Sequence, residues 1–124
     1  MGDVSKNINR HEVACRCGCG FDTLDANTTE VVQAACDHFA EMLGVDKVVL
    51  DISSGARCEK HNRAEGGGHR SQHLRGRALD INIRGVSPIE IHAYLLTKYP
   101  DQYGIGRYPN FIHIDTRSGA AARW

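Results

Sequence analysis

An α+β domain, a small antiparallel sheet with helices against one face, is the fold class the sequence predicts. Three observations predict it. Apolar residues recur at helical spacing over 31–43 and again from Ile91 to Lys98. Two stretches, 77–83 and 111–115, alternate with period two. A third, 48–52, is a short run of Val, Leu and Ile.

Residues 1–25 read as loop, with glycines, cysteines and short polar runs that show little periodicity. Asn27 through Glu30 has the form of a capping box, a side-chain acceptor three residues ahead of a Glu. Behind it Val31, Val32, Ala35, Phe39, Met42 and Leu43 line one helical face, and Gly44 supplies a stop. Val48 to Ile52 is expected as a strand, after which Ser53-Ser54-Gly55 turns the chain toward Arg57. A glycine run, Gly66-Gly67-Gly68, opens onto His69-Arg70-Ser71-Gln72-His73. From Arg77 to Ile83 the alternation sets Ala78, Asp80 and Asn82 on one face and Leu79, Ile81 and Ile83 on the other. Ser87-Pro88-Ile89-Glu90 joins a capping box to a proline at the first helical position and starts a helix faced by Ile91, Tyr94, Leu95 and Lys98. Phe111 to Asp115 closes the pattern as a strand, with Phe111, His113 and Asp115 on one side. No internal repeat, low-complexity tract or linker interrupts the chain, so residues 1–124 are expected to form one domain.

Composition excludes several function classes. Fifteen Lys and Arg balance fifteen Asp and Glu, which argues against a protein that binds nucleic acid by neutralising phosphates. No apolar run approaches the roughly 20 residues that span a bilayer, so no membrane insertion is expected. The start, MGDVSKNINR, lacks the apolar core of a signal peptide, and synthesis in the cytoplasm is the expectation. Of the five cysteines, Cys36 falls in the first helical pattern and reads as a small buried hydrophobe. Cys15, Cys17 and Cys19 stand one residue apart, unlike the wider spacing usual in zinc sites, although Cys58 could add a fourth thiolate. A second metal site, a disulfide from the cluster to Cys58, and free thiols are the alternatives.

The chemistry concentrates in three residues. His73 ends a polar loop, Asp80 lies seven positions on in a strand, and His113 lies in another strand. Two imidazoles and one carboxylate form a ligand set for catalytic zinc, and three protein ligands leave a position for water whose pKa the metal lowers toward about 7.

The stretch Ser71-Gln72-His73-Leu74-Arg75-Gly76-Arg77-Ala78-Leu79-Asp80 resembles the S-x-H-x-x-G-x-A-x-D signature of the zinc D-Ala-D-Ala carboxypeptidases and murein endopeptidases, a group related to lysostaphin-type peptidases and to the hedgehog signalling domain. Ser54-Gly55-Ala56-Arg57 resembles the upstream S-G-x-R block, and His113-Ile114-Asp115 the closing H-x-D strand, with Trp124 placed like a trailing tryptophan. Glu12 to Phe21, with its CRCGCG core, resembles the leading segment of small phage and prophage members.

The resemblance implies a hedgehog/D-Ala-D-Ala-peptidase-like fold and a Zn2+ held by His73, Asp80 and His113. It gives Arg57 the task of stabilising the oxyanion beside the scissile carbonyl. Ser71 and Gln72 would contact substrate or hold His73, and Gly76 would answer a backbone demand between the two ligands. One departure stands out: several relatives carry a carboxylate three residues before the last zinc histidine, where this chain has Asn110. Asp115 is the nearest acidic substitute, either as general base or as a group that orients a ligand histidine, and His69 is a weaker candidate for proton transfer. The triple glycine lacks the Lys and Ser/Thr of a P-loop and reads as cleft wall.

The expected activity is that of a zinc metallopeptidase, D-Ala-D-Ala carboxypeptidase or murein endopeptidase. It would cut D-Ala-containing stem or crosslink peptides of peptidoglycan, acting as a monomer. A phage endolysin or virion lysin that meets the wall after lysis, holin release or virion delivery fits the missing leader. The rival expectation is a non-catalytic zinc-binding module for peptidoglycan or a protein partner.

Overall fold

Alternation in β2 (Ala78–Ile83) divides the strand between two environments. Leu79, Ile81 and Ile83 enter the apolar core, while Asp80 faces a cleft on the other side. The computed structural model describes residues 2–68 and 71–124. Their order is α1 (Arg10–Val13), α2 (Ala26–Leu43), β1 (Leu50–Ser54), α3 (Glu59–Ala64), a 3-10 turn (Gln72–Arg75), β2, α4 (Pro88–Lys98), β3 (Gly104–Arg107), β4 (Ile112–Asp115) and β5 (Ala122–Arg123). The strands form one sheet in the order β1-β2-β4-β3-β5. Its pairs are antiparallel except for β5, which lies parallel to β3, so the sheet is mixed.

The two long helices cover the apolar face. Val31, Val32, Ala35, Cys36, Phe39 and Ala40 of α2, with Ile91 and Leu95 of α4, pack against Leu79, Ile81, Ile83, Ile105, Ile112 and Ile114. At about 25 cal/mol per Å2 of apolar surface, burying such side chains supplies most of the drive to fold. Met42 and Leu43, expected on the buried face of α2, are instead exposed in its last turn. The cap of α2 also differs from expectation. Asp25, not Asn27, takes the N-cap position and accepts from the Asn27 N–H, so the helix starts two residues earlier than the Asn27/Glu30 spacing suggests. Gly44 ends it as expected, and Ser87 caps α4 by accepting from the Glu90 N–H.

The cysteine of α2 behaves as a core residue. Burial, with Asp37 beside it, pushes the Cys36 thiol up to about 12, well above reactive range.

Four elements lie outside the sequence-based outline: α1 within the first 25 residues, α3 after Arg57, and strands β3 and β5. Three strand starts also shift, β1 beginning at Leu50, β2 at Ala78 and β4 at Ile112.

Register builds the functional face. Asp80 of β2 pairs with His113 of β4, and His113 pairs in turn with Gly106 of β3. Ser54 of β1 pairs with Asp80 on its other side. One row thus runs Ser54, Asp80, His113, Gly106 across four strands, with Asp115 opposite Gly104 in the next row.

Candidate metal centre

Three donors reach one point from separate elements. The 3-10 turn carries His73, held at its start by Ser71, whose hydroxyl accepts from the His73 N–H at 3.3 Å. Gly76 closes the turn in the left-handed region, φ +66°, donating its N–H to the Gln72 and His73 carbonyls. β2 and β4 supply Asp80 and His113 from facing register positions. All three side chains are buried, and one donor atom from each lies within 4.8 Å of the others.

Hydrogen bonding fixes which nitrogens are free. His73 Nδ1 sits 2.7 Å from the Gly55 carbonyl, which can only accept, so Nδ1 carries the proton. Its Nε2 lone pair then faces Asp80 Oδ1 at 3.4 Å. His113 Nδ1 approaches the same oxygen at 3.0 Å, while its Nε2 lies 2.7 Å from Asp115 Oδ2. Burial alone would raise the Asp80 carboxyl, but the His113 and His73 imidazoles outweigh it and hold it down at about 2. Burial would lower His113, but the flanking Asp115 and Asp80 carboxylates prevail and raise it.

The donor set fits a divalent cation. Asp80 is an ionised carboxylate, His73 offers Nε2, and His113 can offer Nδ1 while Asp115 retains the Nε2 proton.

Asp115 itself has no exposed surface. Oδ1 accepts from the Gly104 N–H at 3.1 Å and from Arg117 Nε at 2.8 Å, and Oδ2 from Arg117 Nη2 at 2.7 Å. With His113 on Oδ2 as well, its lone pairs are committed. Burial would raise its carboxyl, but Arg117 and His113 hold it below the ordinary carboxylate range. Of the two roles open from sequence, this environment fits orientation of His113 and leaves no lone pair for a cleft water. Asn110 does not line the cleft, although its carbonyl accepts from the Asn82 side chain. Among the described residues the carboxylates that do line it are Asp80 and Glu65. His69 lies outside the described residues.

The cleft over the triad measures about 450 Å3. Arg57 borders it, its Nη2 3.6 Å from Asp80 Oδ2, Nε donating to Ser54 Oγ at 3.1 Å and Nη1 to Asn62 Oδ1 at 3.5 Å. Gln72 also borders it, with its Oε1 buried and without a hydrogen-bond partner. Gly66, Gly67 and Gly68 form part of the wall, anchored by Asn62, which donates to the Gly68 carbonyl at 2.9 Å. Opposite stands an aromatic wall. Trp124 lies 5.0 Å from the His113 ring and donates its indole N–H to the Tyr108 hydroxyl at 2.8 Å, and Tyr108 stacks on Phe111.

Arg117, Asn62 and Tyr108 escaped the sequence reading. Arg117 had a usable signal, since it stands two residues past Asp115 on the same face of an extended chain.

Residues 6–115 match the Peptidase M15 family. The chain is 35% identical over 89 residues to the peptidoglycan L,D-endopeptidase MepK of Escherichia coli, an alignment covering 67% of this chain and 47% of that protein. It is 30% identical over 89 residues to the probable peptidoglycan L,D-endopeptidase MepK of Haemophilus influenzae, covering 66% and 46%. The chain therefore spans about half the length of the curated relatives it matches. No solved structure gives a significant match.

Proposed function

The chain belongs to the Peptidase M15 family, and from that premise we propose that it is a zinc-dependent peptidase acting on bacterial peptidoglycan, as an endopeptidase at a bond between an L- and a D-residue. The observation that carries the reading is the convergence of His73 Nε2, Asp80 Oδ1 and His113 Nδ1 on one cleft, each with its other polar atoms already engaged. Bound there, zinc would act as a Lewis acid on the scissile carbonyl and on water.

The chain's own residues do the rest. Arg57, fixed by Ser54, Asn62 and Asp80, presents its guanidinium to charge developing on the carbonyl oxygen, already oriented before substrate arrives. Asp115 keeps the His113 proton on Nε2, so that Nδ1 stays a lone-pair donor. Gln72 borders the path of the substrate backbone, and the aromatic wall of Tyr108, Phe111 and Trp124 packs along the peptide. The endopeptidase assignment draws on the activity named for the relatives and favours the murein endopeptidase alternative of the sequence-based expectation over the D-Ala-D-Ala carboxypeptidase one.

Defined muropeptides, incubated with the zinc-loaded protein and followed by mass analysis, test this. Cleavage at an internal L,D bond, abolished by chelator and by His73→Ala, is the expected result. Release of free D-Ala would overturn the endopeptidase assignment. Intact muropeptides that bind tightly would overturn catalysis and leave a binding module.

A further inference from the structure

The sequence motif that the cleft does not absorb is the cysteine cluster ahead of α2. The structure brings Cys15, Cys17 and Cys19 together with Cys58, from the start of α3, so that one sulfur from each lies within 4.8 Å of the others. Cys15 Sγ is 3.4 Å from Cys17 Sγ and 3.8 Å from Cys58 Sγ, and Cys17 Sγ is 3.7 Å from Cys58 Sγ.

Those separations have a metrical meaning. Four thiolates about 2.3 Å from a tetrahedral zinc stand about 3.8 Å apart along each edge. The three edges, 3.4, 3.7 and 3.8 Å, lie at or just below that value. The one-residue spacing that looked wrong in sequence is accommodated by a tight knot. Cys15 donates its N–H to the Phe21 carbonyl at 2.7 Å, Gly18 donates to the Cys15 carbonyl at 3.2 Å, and Gly18 and Gly20 take positive φ. Backbone N–H groups also point at sulfur, from Cys58 to Cys15 Sγ at 3.5 Å and from His61 to Cys58 Sγ at 3.4 Å, as suits thiolate acceptors.

We propose that Cys15, Cys17, Cys19 and Cys58 bind a structural zinc ion through four thiolates, stapling the segment ahead of α2 to the loop that carries Arg57. Each thiol gives up its proton as the metal binds. The ion closes a contact that the backbone already begins, since Ala56 donates to the Val13 carbonyl at 2.7 Å. Arg57 lies between Ala56 and Cys58 and donates its N–H to the His73 carbonyl at 3.0 Å, so the staple supports the cleft's edge from behind. This inference does not rest on the peptidase reading, because the two donor sets share no residue.

Zinc content and X-ray absorption of the full chain, purified under reducing conditions, test it alongside His73→Ala and Cys19→Ser. The expected parent carries two zinc ions per chain, with sulfur scattering at about 2.3 Å. His73→Ala should lose one ion and become all-sulfur in its remaining coordination. Cys19→Ser, at an exposed position, should lose the sulfur shell and keep nitrogen and oxygen scattering. If Cys19→Ser fails to fold, the parent and His73→Ala still decide. A parent holding one ion with only sulfur ligands would sink the cleft's zinc and uphold the staple. A parent without sulfur scattering, iron in place of zinc, or fewer than five titratable thiols in a separate preparation made without reductant and denatured with chelator would overturn it.

Discussion

Replacing Asp115 by Asn separates orientation from proton transfer at the candidate site. The carboxylate is fully buried and engages the Arg117 side chain twice, the Arg117 and Gly104 N–H groups and His113 Nε2. An amide keeps the shape but turns one acceptor into a donor, which must then face Arg117 or the His113 N–H. Removing one partner of a buried ion pair costs about 3–5 kcal/mol. Arg117 keeps 30% side-chain exposure and can regain water, so the low end applies. A loss of about 3 kcal/mol in a chain of this size lowers Tm by roughly 12 °C. The second effect is on the ring. If the amide N–H2 turns to Nε2, the His113 proton moves to Nδ1 and the lone pair leaves the triad, a change worth about 10–100-fold in zinc affinity.

The pH dependence has a defined sign. Asp115 is held below its ordinary value, so its stabilisation is present above about pH 4 and disappears as pH falls through the folded value. In the metal-free protein His113 is held above its ordinary value, so the share due to imidazolium is present below about pH 6.5 and is lost as pH rises through its folded value. The Tm gap between parent and Asp115→Asn should therefore be widest in mildly acidic solution, narrowing in strong acid and again in alkali. Thermal unfolding across pH, zinc competition with a chromophoric chelator, and kcat on a muropeptide complete the assay. An Asp115→Asn protein with parental Tm and zinc affinity but kcat reduced 100-fold or more would refute the reasoning and make Asp115 the proton acceptor.

Other perturbations follow from the same geometry. Arg57→Ala should lower kcat by about 100- to 1,000-fold while the triad's zinc stays bound, with Arg57→Lys recovering only part because an ammonium lacks the guanidinium fork, as steady-state kinetics and metal analysis would show. Gly104→Ala should cost about 1–3 kcal/mol, because an added Cβ runs into the Asp115 carboxylate; Gly68→Ala, whose Cβ meets open space, should fall within about 0.5 kcal/mol of parent in urea titrations. Ile81→Ala, emptying a fully buried position under α2 and α4, should cost about 2–5 kcal/mol in the same titrations and leave zinc content unchanged.

What could be read from sequence, and what could not, divides along the two faces of the sheet. The apolar face announces itself because burial demands apolar residues at fixed spacing. Leu79, Ile81 and Ile83, Val31 through Phe39, and Ile91 with Leu95 all fell where the core lies. The triad was visible because its three polar residues interrupt or flank those runs. β3 was not visible, and the cause is the site itself. Its functional face is Gly104 and Gly106, where a side chain would collide with Asp115 and with the Trp124 indole respectively. A strand that must make room for a supporting carboxylate and an aromatic wall has half its signal removed, leaving Ile105 as its lone buried apolar side chain. β5 is two residues long and parallel, seated by contacts with β3 and by Arg123 donating to the Tyr99, Gln102 and Tyr103 carbonyls, none of which has a local sequence period.

The same logic explains the cysteines. Spacing rules describe ligands presented by regular turns, whereas Cys15, Cys17 and Cys19 come from an irregular knot and Cys58 from the cap of a distant helix. Only the fold brings Cys58 within 3.8 Å of Cys15, across 43 residues of chain. The residues that escaped the reading belong to the layer behind the donors. Arg117 clamps the carboxylate that holds His113, and Asn62 fixes both Arg57 and the glycine wall. Such residues are selected by the position of a neighbour and not by any periodicity of their own, so their roles become legible once that neighbour is placed.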